Sequence, residues 1–345
     1  MLVFLIRLIV FSRNLKNFEG HKIRISSRVL QEPSKFASTQ KFYLEGFNFY
    51  LPKYPQVSYG DRVTVEGTVE NGKVINAKLI NLEIDENLFL GFRKKIISFY
   101  KKSLPEPHSS LVAGIILGYK SEQTGIFWNQ LRETGTMHVV VASGMNVAFV
   151  AGFLMSILLL FISRRKAVLL ALIGIWIYSF ISGFEAPIVR STIMFSIALV
   201  AQLFGKLSFS FNALFLSALI MLVIKPVWIY DLGFILSFTA TASLMLFTKK
   251  VEKLLKFVPK YIKSDLTTTL AAQIGVAPIL FISFGQFNLL SPFINTLILW
   301  TVPLIMIIGS VGGVVGLVVP VLGRLVLYVV YPLTWYFVSI VGFFS

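Results

Sequence analysis

The chain has 345 residues, of which 56% are hydrophobic and 14% are charged, and its 32 Lys and Arg against 16 Asp and Glu give a net charge of +16. Charged residues make up roughly a quarter of a typical soluble domain, so this composition excludes a wholly soluble protein. Cysteine is absent, which excludes disulfides, thiolate nucleophiles and cysteine-ligated metals. The three histidines, His21, His108 and His138, are widely separated, so neither a metal site nor a cofactor is predicted.

The charges are divided unevenly along the chain. Residues 1–135 contain 19 Lys and Arg and 12 Asp and Glu, whereas residues 136–345 contain 13 and 4. Successive apolar runs in the second part predict a polytopic α-helical membrane protein with a small N-terminal domain in water. The positive charge fits either contact with anionic lipid or a polyanionic substrate, and charge alone leaves both open.

Residues 1–17 begin with an apolar run, Leu2 to Phe11, that contains Arg7. Ten helical residues cover about 15 Å, roughly half of the hydrocarbon core of a bilayer. The run has no small-residue cleavage site. It is therefore interpreted as a short apolar anchor and not as a secretory signal peptide.

Residues 18–85 alternate in the period of β-strands. Polar and apolar residues alternate over 22–30, 41–47, 61–69 and 73–84, and Asn71-Gly72 is a tight-turn signal. Four or five short strands predict a small OB-like β-barrel. Because such barrels bind single-stranded nucleic acid through basic and aromatic groups, the candidate DNA contacts are Arg24, Arg28, Lys41 and Tyr43. The alternative is that these are ordinary surface charges and core aromatics.

Residues 86–135 are predicted to form amphipathic and interfacial helices. Leu88, Phe92, Ile96 and Tyr100 recur at every fourth position beside several lysines, which is typical of a basic helix at a membrane surface. The following small-residue run, 113–118, is too short to span a bilayer.

Residues 136–345 contain about eight candidate spans: 137–162, 167–182, 188–204, 209–224, 229–247, 266–284, 289–317 and 319–343. Pro303 and Pro332 predict kinked or broken helices in the last two. The loops after the first and fifth spans are basic, and the loop between the second and third carries Glu185. The positive-inside rule places the basic loops in the cytoplasm and Glu185, with the β domain, outside.

His138, Ser143, Gly144 and Asn146 interrupt an otherwise apolar run at the start of the first span. Polar groups at such positions suggest function, and the alternative is that Ser143 and Gly144 let two helices pack closely. An intramembrane hydrolase would use a serine with a histidine base. In a continuous helix, however, residues 138 and 143 would lie about 140° apart, and a break at Gly144 would be needed to pair them. No enzyme is predicted, and an intramembrane serine hydrolase is the less favoured alternative.

Further polar residues follow in the later spans. Pro187 predicts a helix start with Arg190 on its first turn, which favours an anion site. The alternatives are a Glu185–Arg190 ion pair or a snorkelling arginine. Asp231 and Gly233 are interpreted as structural, with Asp231 as a helix N-cap. The remaining polar positions predict either an aqueous path or a tightly packed bundle; they include Ser237, Gln273 and Asn295.

Several of these segments together resemble one family. The stretch from Gly135 to Val147, with His138 and Ser143-Gly144, resembles a signature of the ComEC competence proteins, which are DNA channels of natural transformation. Three further segments are similar to family motifs in the same order: Pro187 to Ser191, Lys225 to Ala240, and Gly285 to Asn295. The N-terminal strands resemble the OB domain that precedes the membrane core of the family.

The resemblance implies a channel that passes single-stranded DNA through the bacterial inner membrane, with His138, Ser143, Gly144, Asn146 and Arg190 along its path. It also implies contact with membrane lipids, an outer DNA receptor, a cytoplasmic ATPase or helicase and a possible homo-oligomer. Asn146 replaces a second histidine of the signature. The metallo-β-lactamase-like domain of many relatives is missing from these 345 residues, which predicts a short form or a fragment without nuclease activity. A permease for another anionic solute or lipid is the alternative function.

Overall fold

The structure is a computed structural model that describes residues 18–36, 38–70, 73–84, 88–120, 125–141, 143–205, 209–256, 258–284, 288 and 290–345. The predicted anchor at 1–17 and the Asn71-Gly72 turn lie outside these residues. A β domain comes first and is followed by helices.

Six strands form one mixed sheet in the order β1-β5-β6-β4-β3-β2. Its neighbours are antiparallel except for β4 and β6, which are parallel. The two outermost strands, β1 and β2, do not pair in the described part of the chain, so the sheet is open and the predicted barrel is not confirmed. The strands are β1 (Lys22–Arg28), β2 (Ser34–Lys35), β3 (Thr39–Leu44), β4 (Phe47–Pro52), β5 (Arg62–Glu70) and β6 (Lys73–Glu83).

The segment predicted as one strand over 41–47 contains a hairpin turn instead. Glu45 and Gly46 have φ values of 45° and 104°, which is the left-handed backbone of a two-residue hairpin turn. The turn pairs β3 with β4 and brings Phe42 and Phe49 together, with ring centroids 5.9 Å apart. The prediction of a continuous strand was wrong because Gly46 supplies a turn.

Thirteen α-helices lie in the described residues after the sheet. A short 3₁₀ helix, Pro226–Tyr230, separates the eighth from the ninth. The helices are α1 (Leu88–Ser103), α2 (His108–Leu117), α3 (Ile126–Glu133), α4 (Met137–Val140), α5 (Gly144–Phe161), α6 (Arg164–Ile181), α7 (Ala186–Leu203), α8 (Ser210–Ile224), α9 (Leu232–Leu254), α10 (Lys260–Phe284), α11 (Ser291–Ile298), α12 (Thr301–Val318) and α13 (Pro320–Phe343).

Six segments built from the described helices are long and apolar enough to cross a membrane: Met137–Phe161, which comprises α4 and α5, Ala186–Leu203, Leu232–Leu254, Lys263–Ser283, Thr301–Val318 and Pro320–Phe343. Two further helices correspond to the other predicted spans. Helix α6 has 18 residues with three basic residues in its first turn, and α8 has 15 residues. The predicted span 289–317 is divided into α11 and α12.

Helices α1 and α2 pack inside the protein against α12 and α13. Every residue of α2 is buried, and the Tyr100 hydroxyl of α1 donates a hydrogen bond to the Gly309 carbonyl of α12 at 2.9 Å. Phe92, Ile96 and Tyr100, which predicted a membrane-surface helix, are thus packed against protein.

The β domain is fixed to the helices by polar contacts. The buried Arg93 of α1 pairs with Glu32 at 2.8 Å, and Lys94 pairs with Asp61 at 2.8 Å. The Tyr59 hydroxyl donates to the carbonyl of Phe180, near the end of α6, at 2.8 Å. Burial raises the pKa of Tyr59 to about 12, so this hydroxyl remains a donor at physiological pH. The β domain therefore lies at the end of α6 that is remote from Arg164.

Candidate functional site

Arg190 occupies the second turn of α7 and is only 9% exposed. Its Nε donates to the Ser237 hydroxyl of α9 at 2.7 Å, and its Nη2 donates to the Ser191 hydroxyl at 3.0 Å. Its Nη1 lies 3.2 Å from the sulfur of Met194. In the described part of the chain no carboxylate oxygen lies within 4 Å of this guanidinium. The charge of Arg190 is therefore solvated by neutral groups alone.

A guanidinium has five N–H donors and binds the oxygens of phosphate or carboxylate in a bidentate manner. A buried cation without a counter-ion is costly, and ionisable residues in spanning helices commonly mark a substrate or ion path. The predicted ion pair with Glu185 is not formed, because Glu185 pairs with Lys120 at 2.5 Å. These contacts favour the anion-site interpretation of Arg190.

Gly144, the first residue of α5, lies against this arginine. A Cβ atom at position 144 would overlap the Ser191 hydroxyl and would lie 2.8 Å from Arg190 Nη2. A glycine is needed here for the close approach of α5 to α7. The three helices α5, α7 and α9 therefore meet at Gly144, Arg190 and Ser237.

The stretch around His138 and Ser143 is not a continuous helix. Helix α4 ends at Val140, α5 begins at Gly144, and both Val141 and Ser143 have extended backbone. The helix is interrupted just before Gly144, the residue at which a break was considered, yet the two side chains have separate partners. The exposed His138 donates from Nδ1 to the Gly135 carbonyl at 3.1 Å, and Ser143 donates to Asn146 Oδ1 at 3.3 Å. Neither bond joins a serine nucleophile to a histidine base.

Asn146 forms a hydrogen bond to helix α2 and none to Arg190. It is buried, and its Nδ2 donates to the Ile115 carbonyl of α2 at 2.7 Å. This bond connects the first turn of α5 to the end of α2. Hydrogen bonds of this kind between helices are common in membrane proteins.

The residues interpreted as structural lie at helix starts. Asp231 is the N-cap of α9 and accepts the Phe234 N–H at 2.8 Å, as the sequence predicted. Pro187 lies in the first turn of α7, again as predicted. A Cβ at Gly233 would lie 3.0 Å from Asp231 Oδ1 and 3.6 Å from Pro187 Cδ. Gly233 thus lets the starts of α7 and α9 approach.

The remaining predicted pore residues, Gln273 and Asn295, form no hydrogen bond with Arg190 in the described structure. Gln273 is half-buried on α10, which packs along α9. Asn295 is buried on α11, where its Nδ2 donates to Ser291 at 3.4 Å and its Oδ1 has no partner among the described residues. The structure therefore joins Gly144, Arg190 and Ser237 but does not join His138, Gln273 or Asn295 to them by a hydrogen bond.

The predicted DNA contacts of the β domain fall into two groups. Arg24 and Arg28 are exposed on β1, and the ammonium of Lys41 lies 5.6 Å from the Tyr50 ring. Tyr43 instead faces the helices, with its ring centroid 4.8 Å from the ammonium of Lys225. Burial raises the pKa of the Tyr43 hydroxyl above its usual value. Tyr43 is thus part of the contact between the β domain and the helices.

Sequence reasoning did not single out Lys225 or Lys120 as site residues. Both are cations near helix ends in an otherwise apolar region, and this pattern could have identified them from the sequence. Burial lowers the pKa of Lys120, but the neighbouring Glu185 carboxylate outweighs burial, and the pKa is raised overall. No group of three His, Asp or Glu that could hold a metal ion occurs within the ranges that the structure covers.

The fold and the Arg190 site together define a multi-pass helical membrane protein with a buried candidate site for an anion. The model of a family described as "Competence protein" matches residues 115–345, which is more than half of the chain. The chain belongs to this competence protein family.

Two relatives were compared with the chain. The ComE operon protein 3 of Bacillus subtilis (strain 168) is 29% identical over 227 residues, which cover 65% of this chain and 29% of that protein. An uncharacterized protein of Aquifex aeolicus (strain VF5) is 29% identical over 160 residues, covering 46% of this chain and 35% of that protein. The matches thus span about a third of the length of these relatives. No solved structure matches the chain.

Proposed function

We propose that the chain forms a conduit that passes single-stranded DNA through the bacterial inner membrane during natural transformation. The observation that carries this proposal is Arg190, a buried cation in a spanning helix. Its described partners are two hydroxyls, a thioether and the ring of Phe238, whose centroid lies 5.9 Å from the guanidinium carbon. A phosphate diester of the DNA backbone offers the negatively charged acceptor oxygens that are absent among the described partners of this guanidinium. Membership of the competence family supports DNA as the anion.

The β domain fits the proposed role of a collector outside the membrane. Its strand β1 exposes Arg24 and Arg28 to solvent, and exposed cations attract a polyanion by releasing its counter-ions. The domain contacts the end of α6 that is opposite to the basic residues Arg164–Lys166. Under the positive-inside rule those basic residues face the cytoplasm, so the OB-like domain is proposed to lie outside.

The proposal includes other components of uptake. An outer receptor would deliver the DNA, and a cytoplasmic ATPase or helicase would draw the strand inward. The chain itself is proposed to act as a channel and not as an enzyme, within surrounding lipid and as a possible homo-oligomer. Ser237 and Gly144 would position the Arg190 guanidinium at the path of the strand, and the hydrogen-bonded pair Ser143 and Asn146 would line its start.

The test is uptake of labelled DNA into a nuclease-protected state by cells whose gene for this chain is replaced by variants. Arg190→Ala should lower uptake by at least about tenfold, because a charged hydrogen-bonded contact contributes about 1.5–3 kcal/mol. Arg190→Lys should retain part of the activity, since it keeps the charge but loses the planar fork.

Arg165→Gln is the matched control, because Arg165 is an exposed cation in the first turn of α6. This variant should take up DNA normally, and membrane fractions of all variants should contain equal amounts of protein. Normal uptake by Arg190→Ala would contradict the proposal. If Arg190→Ala instead abolished transport of a small anion while DNA uptake stayed normal, the permease alternative would replace it.

A further inference from the structure

Lys225 lies at the junction of α8 and the 3₁₀ helix, where the β domain meets the helices. Its ammonium is 4.8 Å from the centroid of the Tyr43 ring and 5.5 Å from the centroid of the Trp228 ring. The two rings belong to different domains, because Tyr43 is on β3 and Trp228 is on the 3₁₀ helix. One half-buried cation is thus in contact with aromatic faces from both domains.

The polar groups of this cluster are donors without acceptors. The Tyr43 hydroxyl and the Trp228 indole Nε1 are buried and have no hydrogen-bond partner among the described residues. In the same part of the chain Lys225 has no carboxylate within 4 Å. Asp231 and Glu45 are the acidic groups that act on Lys225 through space, but Asp231 caps α9 and Glu45 accepts the Ser27 hydroxyl at 2.6 Å.

Buried donors without acceptors are uncommon in folded proteins, because each costs about 1–3 kcal/mol. An ammonium, an indole N–H and a phenol hydroxyl together supply three kinds of donor. Burial lowers the pKa of Lys225, which is the opposite of what a resident ion-pair partner would produce. An anion with several oxygens offers acceptors for donors of these three kinds.

We propose that Lys225, Trp228 and Tyr43 form a binding site for a phosphate group at the boundary between the β domain and the membrane. A phosphate diester carries the required acceptor oxygens and negative charge. Two sources have this chemistry: the headgroup of an anionic phospholipid, and the backbone of a DNA strand. The lipid source is independent of the proposed function, whereas the DNA source rests on it.

The test uses the full chain purified in detergent. Two probes are titrated, dioctanoyl phosphatidylglycerol by native mass spectrometry and fluorescein-labelled oligothymidine by anisotropy, with dioctanoyl phosphatidylcholine as the zwitterionic comparison. Lys225→Gln should weaken binding of at least one anionic probe by about tenfold, the effect of losing one charged hydrogen bond. Lys225→Arg should retain binding because the charge remains.

Two milder variants separate binding from folding. Tyr43→Phe removes only the hydroxyl, whereas Trp228→Phe removes the indole N–H and leaves a smaller aromatic ring, and each should weaken binding of the same probe. The control is Lys249→Gln, which changes an exposed lysine of α9 at the opposite end of the helix.

Each outcome has a defined meaning. Weakened phosphatidylglycerol binding identifies a lipid headgroup, and weakened oligothymidine binding identifies the strand backbone. Unchanged binding of both probes in all three loss-of-donor variants overturns the proposal. Failure of the Arg190 uptake test would leave the lipid result untouched, so the two proposals fail separately.

Discussion

Two buried arginines show how the partner of a charge determines its role. Arg93 is 3% exposed, pairs with Glu32 at 2.8 Å and donates to the Leu117 carbonyl at 3.0 Å. Arg190 is similarly buried but has only neutral partners in the described structure. Because leaving a buried charge without a counter-ion is costly, the ion pair of Arg93 contributes to docking of the β domain, whereas Arg190 is the residue proposed to bind an anion.

The docking role of Arg93 gives a stability prediction. Glu32→Gln removes the carboxylate and leaves the Arg93 charge buried without its counter-ion, which should destabilise the protein by about 3–5 kcal/mol. Thermal unfolding followed by fluorescence-detected gel filtration should show a clearly lower midpoint. Glu70→Gln, at an exposed end of β5, should leave the midpoint unchanged. Equal midpoints for the two variants would show that the Glu32–Arg93 contact has little effect.

At the scale of elements, local sequence patterns predicted the features that depend only on residues close together in the chain. Alternation located β1, β5 and β6 but not the turn between β3 and β4. The Asp231 cap located the start of α9, and Pro187 located the start of α7. Gly144 indicated where the helix could bend, but the extended backbone of Val141 and Ser143 was not predicted, because hydropathy does not report backbone conformation.

The candidate site could be predicted only in part for a similar reason. Arg190, Gly144 and Ser237 were each identified from the sequence, but their meeting depends on how three helices pack. Trp228 and Tyr43 are 185 residues apart and meet only through Lys225, and no local period carries that information. These long-range side-chain contacts could therefore be identified only from the structure.

The hairpin of α12 and α13 gives a prediction at this scale. A Cβ at Gly323 would overlap the backbone of Gly316, so the two helices are in contact through their main chains. Gly323→Ala should force them apart and cost about 1–3 kcal/mol, which would lower the yield of monodisperse protein and its unfolding midpoint.

Gly152→Ala is the matched control for this hairpin. A Cβ at Gly152 of α5 would have nothing within 4 Å, and alanine favours a helix by about 1 kcal/mol over glycine. This variant should therefore be at least as stable as the parent. A loss of stability equal to that of Gly323→Ala would mean that close packing of α12 and α13 is not the cause.

At the scale of the molecule, the contacts of the β domain show which ends of the helices lie near that domain. The domain contacts the end of α6 through Tyr59 and the junction after α8 through Tyr43. Helix α9 begins at Leu232, seven residues after Lys225, and carries Lys249 and Lys250 towards its other end. The basic ends of α6 and α9 are therefore both remote from the β domain, which gives one end of the bundle a positive charge.

This arrangement predicts opposite labelling of two engineered cysteines in intact cells. The chain has no cysteine of its own, so Gln56→Cys in an exposed loop of the β domain and Lys249→Cys on α9 each introduce one reporter. Since positive loops remain in the cytoplasm, a membrane-impermeant maleimide should label position 56 and not position 249. After the cells are lysed both should react, which controls for accessibility of the thiol. Labelling of position 249 in intact cells, with position 56 protected, would invert the orientation and remove the β domain from the outer side of the proposed conduit.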